Sequence, residues 1–414
     1  MQNSYKRVKL ACYTTNISMS VVSNLSPLLF ITFRNIYGIS YSLLGLLVLV
    51  NFATQLTVDL IFSIFSHKIN MQKAVKLTPV ITVVGLLIYA ASPFVFSTNV
   101  YLGLVIGTII YSASGGFVEV LISPVIAAIP AENPEREMSK LHSVYAWGVV
   151  AMIVISTLYL SIFDPKSWWV LALAFVSVPL VACILFFGAE LPKLETPEKM
   201  SGVGLIVGQK WFWICVLAIF LGGATECTMA QWCSGYIEKA LGIPKLWGDV
   251  FGVAAFSLML GLGRTLYSKY GKNIRKVLFG GAILATACYL TAVVVDLPVV
   301  GLIACALTGF AASMLWPGSL IVASERFPAA GVFIYAAMAA GGDLGASVGP
   351  QLVGIITDAV SQSSFAIDLS QKLGITTDSI GMKVGMLVGA AFAFAAVIVY
   401  FLIYRANQRK TQKQ

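Results

Sequence analysis

The sequence predicts an all-α membrane protein: twelve transmembrane helices in two pseudo-symmetric six-helix bundles. Three observations predict it. Hydrophobic residues make up 58% and charged residues 11%, against roughly 25% charged in soluble domains, and the mean hydropathy is +0.87. A chain of 414 residues has room for about a dozen spans of roughly 20–28 residues joined by short links. The third observation is an internal repeat. Gly116-Phe117, Pro124 and Glu132 recur as Gly309-Phe310, Pro317 and Glu325 at one fixed offset, and Ser66 to Val75 resembles Ser268 to Val277 at a similar one. Parallel six-helix halves related by an axis along the membrane normal are a known carrier architecture.

Hydropathy places the spans near 9–33, 41–66, 75–96, 99–129, 139–163, 167–188, 208–236, 246–268, 275–295, 298–323, 329–356 and 382–405. The basic N-terminal stretch ahead of the first span has no small-residue cleavage site after a short apolar core, so that span is expected to stay. An even number of spans puts both termini on one side. All 27 lysines and arginines except Arg34, Lys166, Lys239, Lys245, Lys372 and Lys383 fall on the side of the termini. By the positive-inside rule that side is cytoplasmic, in a multi-pass plasma (inner) membrane protein. Trp168, Trp169, Trp211, Trp213 and Trp247 sit at helix ends, where an aromatic belt belongs.

The links complete the layout. Residues 189–207 carry two prolines and a mixed charge run. They are expected to be a cytoplasmic linker between an N-terminal bundle, 1–188, and a C-terminal bundle, 208–414. The longest hydrophilic link is expected outside, near 357–381. The net charge of +9 is a topology signal, with some contact to anionic lipid, because no basic cluster of the kind that binds nucleic acid is present. The seven cysteines form no C-x-x-C pair and read as buried, reduced small residues. Neither a cofactor nor a metal is implied, and no nucleophile–base pair or phosphate loop points to an enzyme.

The chain resembles the major facilitator superfamily over essentially its whole length. The family's loop motif after the second helix of each half is partly kept as Gly263-Arg264, Tyr270-Gly271 and Arg275-Lys276. It is degenerate in the first half, where Ser66 stands for the aspartate and Ile69 for the glycine. Within the superfamily the chain is most similar to the fucose–proton symporter group of sugar permeases. The similarity lies in Gly115 to Glu119 with Pro124, His142 to Gly148, Gly222 to Trp232, Leu315-Trp316-Pro317, and Gly342 to Gly345 with Gly349-Pro350. The resemblance implies a monomeric alternating-access carrier whose first, fourth, seventh and tenth helices line a cavity near the bilayer midplane. The first span here has no acidic residue, unlike the well-known member of that group, so substrate and stoichiometry do not carry over.

Four acids fall well inside spans, away from their ends: Asp59, Glu119, Glu226 and Asp343. A carboxylate at mid-span costs about 2.5–3.5 kcal/mol even on the lenient insertion scale, so these are the candidates for proton coupling, with sodium left open. Glu119 and Glu226 lead; Asp343 lies among Gly341, Gly342 and Gly345, where helices can pack closely, and Asp59 lies nearer the cytoplasmic end, where a structural or gating role fits equally. A sugar presents hydroxyls at its edges and C–H groups on its faces. Asn16, Asn51, Gln55, Glu119, Glu226 and Gln231 are the candidates for the edges. Tyr145, Trp147, Trp232 and Trp316 are the candidates for the faces, although each aromatic alone fits bundle packing as well. Asn51, Gln55 and Asp59 are four apart and share one face of a helix. Asn16, Ser20 and Ser23 make a polar stripe that lipid cannot satisfy. His142 and His67 read as an interfacial and a loop histidine, and Glu132 and Glu325 as interfacial partners of arginines such as Arg136 and Arg326.

The expected function is therefore proton-coupled transport of a small polar solute, a monosaccharide or related polyol. Proton-coupled efflux of an amphipathic compound and a non-transporting membrane sensor are the alternatives.

Overall fold

A computed structural model describes residues 2–65, 69–130, 134–192, 206–295, 297–327 and 332–411, and among them the chain is helical throughout, with no strand. Among the described residues nine helices are long and apolar enough to cross a membrane, or up to eleven if two bent pairs each count as one span. Each of the twelve predicted spans has a helical counterpart.

The helices are α1 (Gln2–Leu28), α2 (Phe30–Tyr37), α3 (Tyr41–Phe65), α4 (Met71–Val95), α5 (Val100–Ala128), α6 (Pro134–Ile162), α7 (Trp168–Phe175) and α8 (Ser177–Phe186). There follow α9 (Lys210–Lys239), α10 (Lys245–Gly248), a π-helical turn (Asp249–Ala254), α11 (Ala255–Tyr270), α12 (Ile274–Val294), α13 (Pro298–Ala312) and α14 (Leu315–Arg326). The last are α15 (Val332–Ser361), α16 (Ser364–Leu373) and α17 (Thr377–Thr411). Contacts divide the chain into two compact units: Met1–Ile39 with Val50–Glu198, and Ser40–Leu49 with Lys199–Gln414. Residues 193–205, most of the expected linker, lie outside the described residues.

In the first unit α1 and α2 are one broken span, bent by 45°. Pro27, in the last turn of α1, supplies no N–H to the helix ladder, which accounts for a break at this point. Buried hydroxyls bond to one another because lipid offers nothing else. Ser26 meets the Tyr89 and Tyr111 hydroxyls at 2.7 and 3.0 Å, and Thr82 meets Ser114 at 2.7 Å. Phe33 and Trp168 close this layer edge to face, 4.9 Å between centroids. A second layer holds Val8, Val58, Phe62, Leu121, Val125 and Phe186.

In the second unit α9 is the central helix. The Tyr400 hydroxyl of α17 lies 2.8 Å from the Ala218 carbonyl of α9, 3.1 Å from the Leu315 carbonyl of α14 and 2.9 Å from the Ser319 hydroxyl. It so ties three helices together. The break between α13 and α14 follows from Pro317, which has no N–H to give the carbonyl four residues back, that of Ser313. Asp358 of α15 caps the start of α3, whose first turns belong to this unit. Its carboxylate accepts from the Tyr41 and Ser42 amides at 3.0 and 2.6 Å and from the Ser42 hydroxyl at 2.6 Å.

The repeated glycines have the same job in each unit. A β-carbon at Gly116 would fall 2.7 Å from Val58 Cβ of α3. One at Gly309 would collide with the Phe256 backbone carbonyl of α11. Both are close helix crossings that only glycine allows.

Two expectations are corrected. The link near 357–381 is mostly helical: α15 runs on to Ser361, and α16 starts on a Ser363 cap that accepts from the Ala366 amide at 3.2 Å. It ends at Gly374 in the left-handed region, φ +66°. A polar composition suits a loop and an amphipathic surface helix equally. Glu325 pairs with Arg275 at 2.7 Å, not with Arg326, whose guanidinium lies over the Trp211 ring at 5.0 Å. Sequence neighbours on a helix point to different faces, so adjacency did not make a pair. Glu132 and His67 lie outside the described residues.

Candidate functional site

The first unit brings one polar face of α3 against α5. Asn51, Gln55 and Asp59 are all buried, at 5%, 1% and 8% exposure. Asn51 accepts from the Ser112 hydroxyl at 2.5 Å. Gln55 lies against Gly115, where any side chain would displace it. Its Nε2 is buried and, among the described residues, has no hydrogen-bond partner. One turn further along each helix, the carboxylate oxygens of Asp59 and Glu119 lie within 4.8 Å of each other. Glu119 is exposed, and Asp59 is not. An exposed carboxylate at mid-span requires water, since lipid cannot solvate it. Two ionised carboxylates this close repel, and a proton or cation between them removes the repulsion.

The second unit holds a mixed-charge cluster. Arg264 of α11 donates from one terminal nitrogen, Nη2, to both oxygens of Glu226 on α9, at 3.1 and 3.3 Å. Its Nε donates to the Ser313 carbonyl at 3.0 Å, the acceptor that Pro317 leaves open. Asp343 of α15 is 2% exposed, and its carboxylate, that of Glu226 and the Arg264 guanidinium all lie in electrostatic range of Cys227. The Trp316 indole of α14 covers Gly223, one turn before Glu226, and Gly342, next to Asp343; a β-carbon at either glycine would meet the ring.

The remaining predicted residues have the following surroundings. Asn16 of α1 gives its amide to the Leu141 carbonyl of α6 at 2.8 Å, a helix-packing bond. Trp232 is fully buried, donates to the Pro350 carbonyl at 2.9 Å and lies 6.0 Å from the Tyr41 ring. These contacts are those of a core tryptophan. Gln231 is buried at 5% beside it. On α6, Tyr145 is half-buried and Trp147 is 68% exposed. His142 lies in α6 with its side chain outside the described positions.

Three further charged residues have structural partners. Arg264 belongs by sequence to the loop motif, yet it sits within a span and reaches Glu226. Asp249, fully buried in the π-helical turn, pairs with Lys245 at 3.0 Å, and Lys245 also reaches the Ser234 hydroxyl at 2.8 Å. The i,i+4 spacing of Lys245 and Asp249 was the available signal. Asp358 carried no local signal, because its partners are distant in sequence.

Helices that fill two compact units, each with carboxylates inside its spans and with matching glycine crossings, define a multi-pass membrane carrier. The sequence profile of the Major Facilitator Superfamily matches residues 11–350, and the chain belongs to that family of transporters. Its solved neighbours have the same fold at low identity. A bacterial homolog of the human lysosomal transporter Spinster, inward-facing and occupied, aligns with TM-score 0.72 and 14% identity over 97% of both chains. The nucleoside transporter NupG aligns with TM-score 0.74 and 11% identity, over 96% of this chain and 99% of that one. The E. coli fucose:proton symporter FucP aligns with TM-score 0.59 and 16% identity, over 97% and 99%. No curated protein sequence gives a match.

Proposed function

We propose that this chain is a secondary active transporter that moves a small polar solute, a monosaccharide or related polyol, by alternating access with proton symport. The carrying observation is the Asp59–Glu119 pair, two carboxylates within 4.8 Å of each other on facing helices, one buried and one exposed. Such a pair holds a proton when closed off and releases it on hydration. Beside it Gln55 and Asn51 offer amides to hydroxyls. A buried amide with an unfilled donor is the kind of group a sugar hydroxyl satisfies. In the second unit Trp316 supplies an aromatic face near Glu226 and Asp343. The fold is one on which a fucose:proton symporter and a nucleoside transporter are both built.

The test is Glu119→Gln in proteoliposomes. It should abolish accumulation driven by an inward proton gradient and leave exchange of labelled for unlabelled solute partly intact. Normal accumulation by the variant would remove Glu119 from proton coupling.

A further inference from the structure

Arg264 is out of place for a carrier of neutral solutes alone. It lies in an apolar span, Lys245–Tyr267, yet its side chain is 45% exposed. Lipid cannot solvate a guanidinium, so the exposed part must face water. Its depth is set by its partners. Glu226 is near the middle of α9, and Ser313 is near the middle of the Pro298–Arg326 span. The Ser313 carbonyl is free because Pro317 cannot bond it, and it fixes the guanidinium plane through Nε. Nη2 is shared by both Glu226 oxygens. Among the described residues Nη1 has no hydrogen-bond partner. One side of the fork is thus held, and the other is presented to water.

We infer that Arg264 is an anion-recognition residue, and that the solute carries a carboxylate, as a sugar acid does. The inference rests on the transport reading above and narrows its substrate class. In the empty carrier Glu226 neutralises Arg264. When Glu226 takes a proton, the guanidinium keeps all five N–H groups and loses its anionic partner, and the solute carboxylate replaces it. A planar fork matches a carboxylate in two parallel hydrogen bonds. A phosphate monoester, at about −1.5 to −2 charges, would exceed what one guanidinium balances. The Trp316 ring, on Gly223 one turn from Glu226, offers a face to the ring of the solute. The charged and titratable groups facing Glu226 are Arg264 of α11, Tyr400 of α17 and Cys227 on its own helix, and Asp343 of α15 acts on that same Cys227. Asp343 and Cys227 bear no positive charge, so Arg264 is the cation released when Glu226 is protonated.

The experiment uses the full-length protein in liposomes with labelled glucuronate, glucose and glucose 6-phosphate. Wild type should prefer glucuronate, and its affinity should fall as pH rises and Glu226 reclaims the arginine. Arg264→Lys, which keeps the charge but not the fork, should raise the half-saturating glucuronate concentration roughly 10- to 100-fold, and Arg264→Gln at least as much. In Glu226→Gln the arginine is permanently released, so glucuronate affinity should become independent of pH. Transport of glucose with no competition by glucuronate would overturn the inference and leave the transport reading standing. So would a preference for glucose 6-phosphate, or unchanged glucuronate affinity in Arg264→Lys. If no solute is moved by a proton gradient, the transport reading itself fails.

Discussion

Gln55 separates a structural from a functional role more cleanly than any carboxylate in this chain. It is buried to 1% exposure, pressed against Gly115, and its Nε2 lacks a hydrogen-bond partner among the described residues. An unmet buried donor costs about 1–3 kcal/mol, and a shape-matched apolar residue avoids that cost. Gln55→Met should therefore leave the melting temperature in detergent unchanged or raise it, while weakening solute binding about tenfold. A drop in stability with unchanged binding would make Gln55 a packing residue. At this scale the sequence was a good guide to residue type and a poor guide to direction. Asn51, Gln55 and Asp59 share a helix face, as their spacing required. Trp232 and Asn16 have the right chemistry for a sugar, but they spend it on Pro350 and Leu141. No pattern within one helix could tell these cases apart, since the partners come from helices more than a hundred residues away.

Helix crossings and caps govern the element scale. Gly309 lies against the backbone of Phe256, which cannot swing aside as a side chain can. Gly309→Ala should cost about 1–3 kcal/mol, read as a lower melting temperature, and Gly116→Ala should cost less because its β-carbon would overlap Val58 Cβ, at 2.7 Å, less deeply than a β-carbon at Gly309 would overlap the Phe256 carbonyl. Equal stability of Gly309→Ala and wild type would mean the crossing is looser than described. Asp358 satisfies two amides at the start of α3 and stabilises its positive end. Asp358→Ala should cost about 1–2 kcal/mol, with Asp358→Asn recovering part of it; no loss in either would refute the cap. The repeat of glycine, phenylalanine and proline was legible because each half must solve the same packing problem. Pro317 was legible as half of that repeat. Its consequence was not, because the carbonyl it frees matters only once Arg264 is folded next to it.

The whole molecule was the most legible scale. An all-helical membrane chain with a duplicated six-span plan follows from composition, span length and repeat spacing, which are averages over many residues. Tolerance of substitution is high for such averages, and this is consistent with a shared fold at 11–16% identity to its solved neighbours. The chemistry of a carrier depends instead on single buried charges. Here the mid-span acids were legible in the sequence, and the arginine that answers one of them was not. The proposed function couples a proton to uphill movement of a small polar solute. The most direct measurement imposes an inward proton gradient on liposomes holding the purified chain and follows labelled sugars and sugar acids. Solute should accumulate above the outside concentration, and that accumulation should collapse with a protonophore and be absent in Glu119→Gln. Equal final concentrations inside and outside, unaffected by the gradient, would contradict the proposed function.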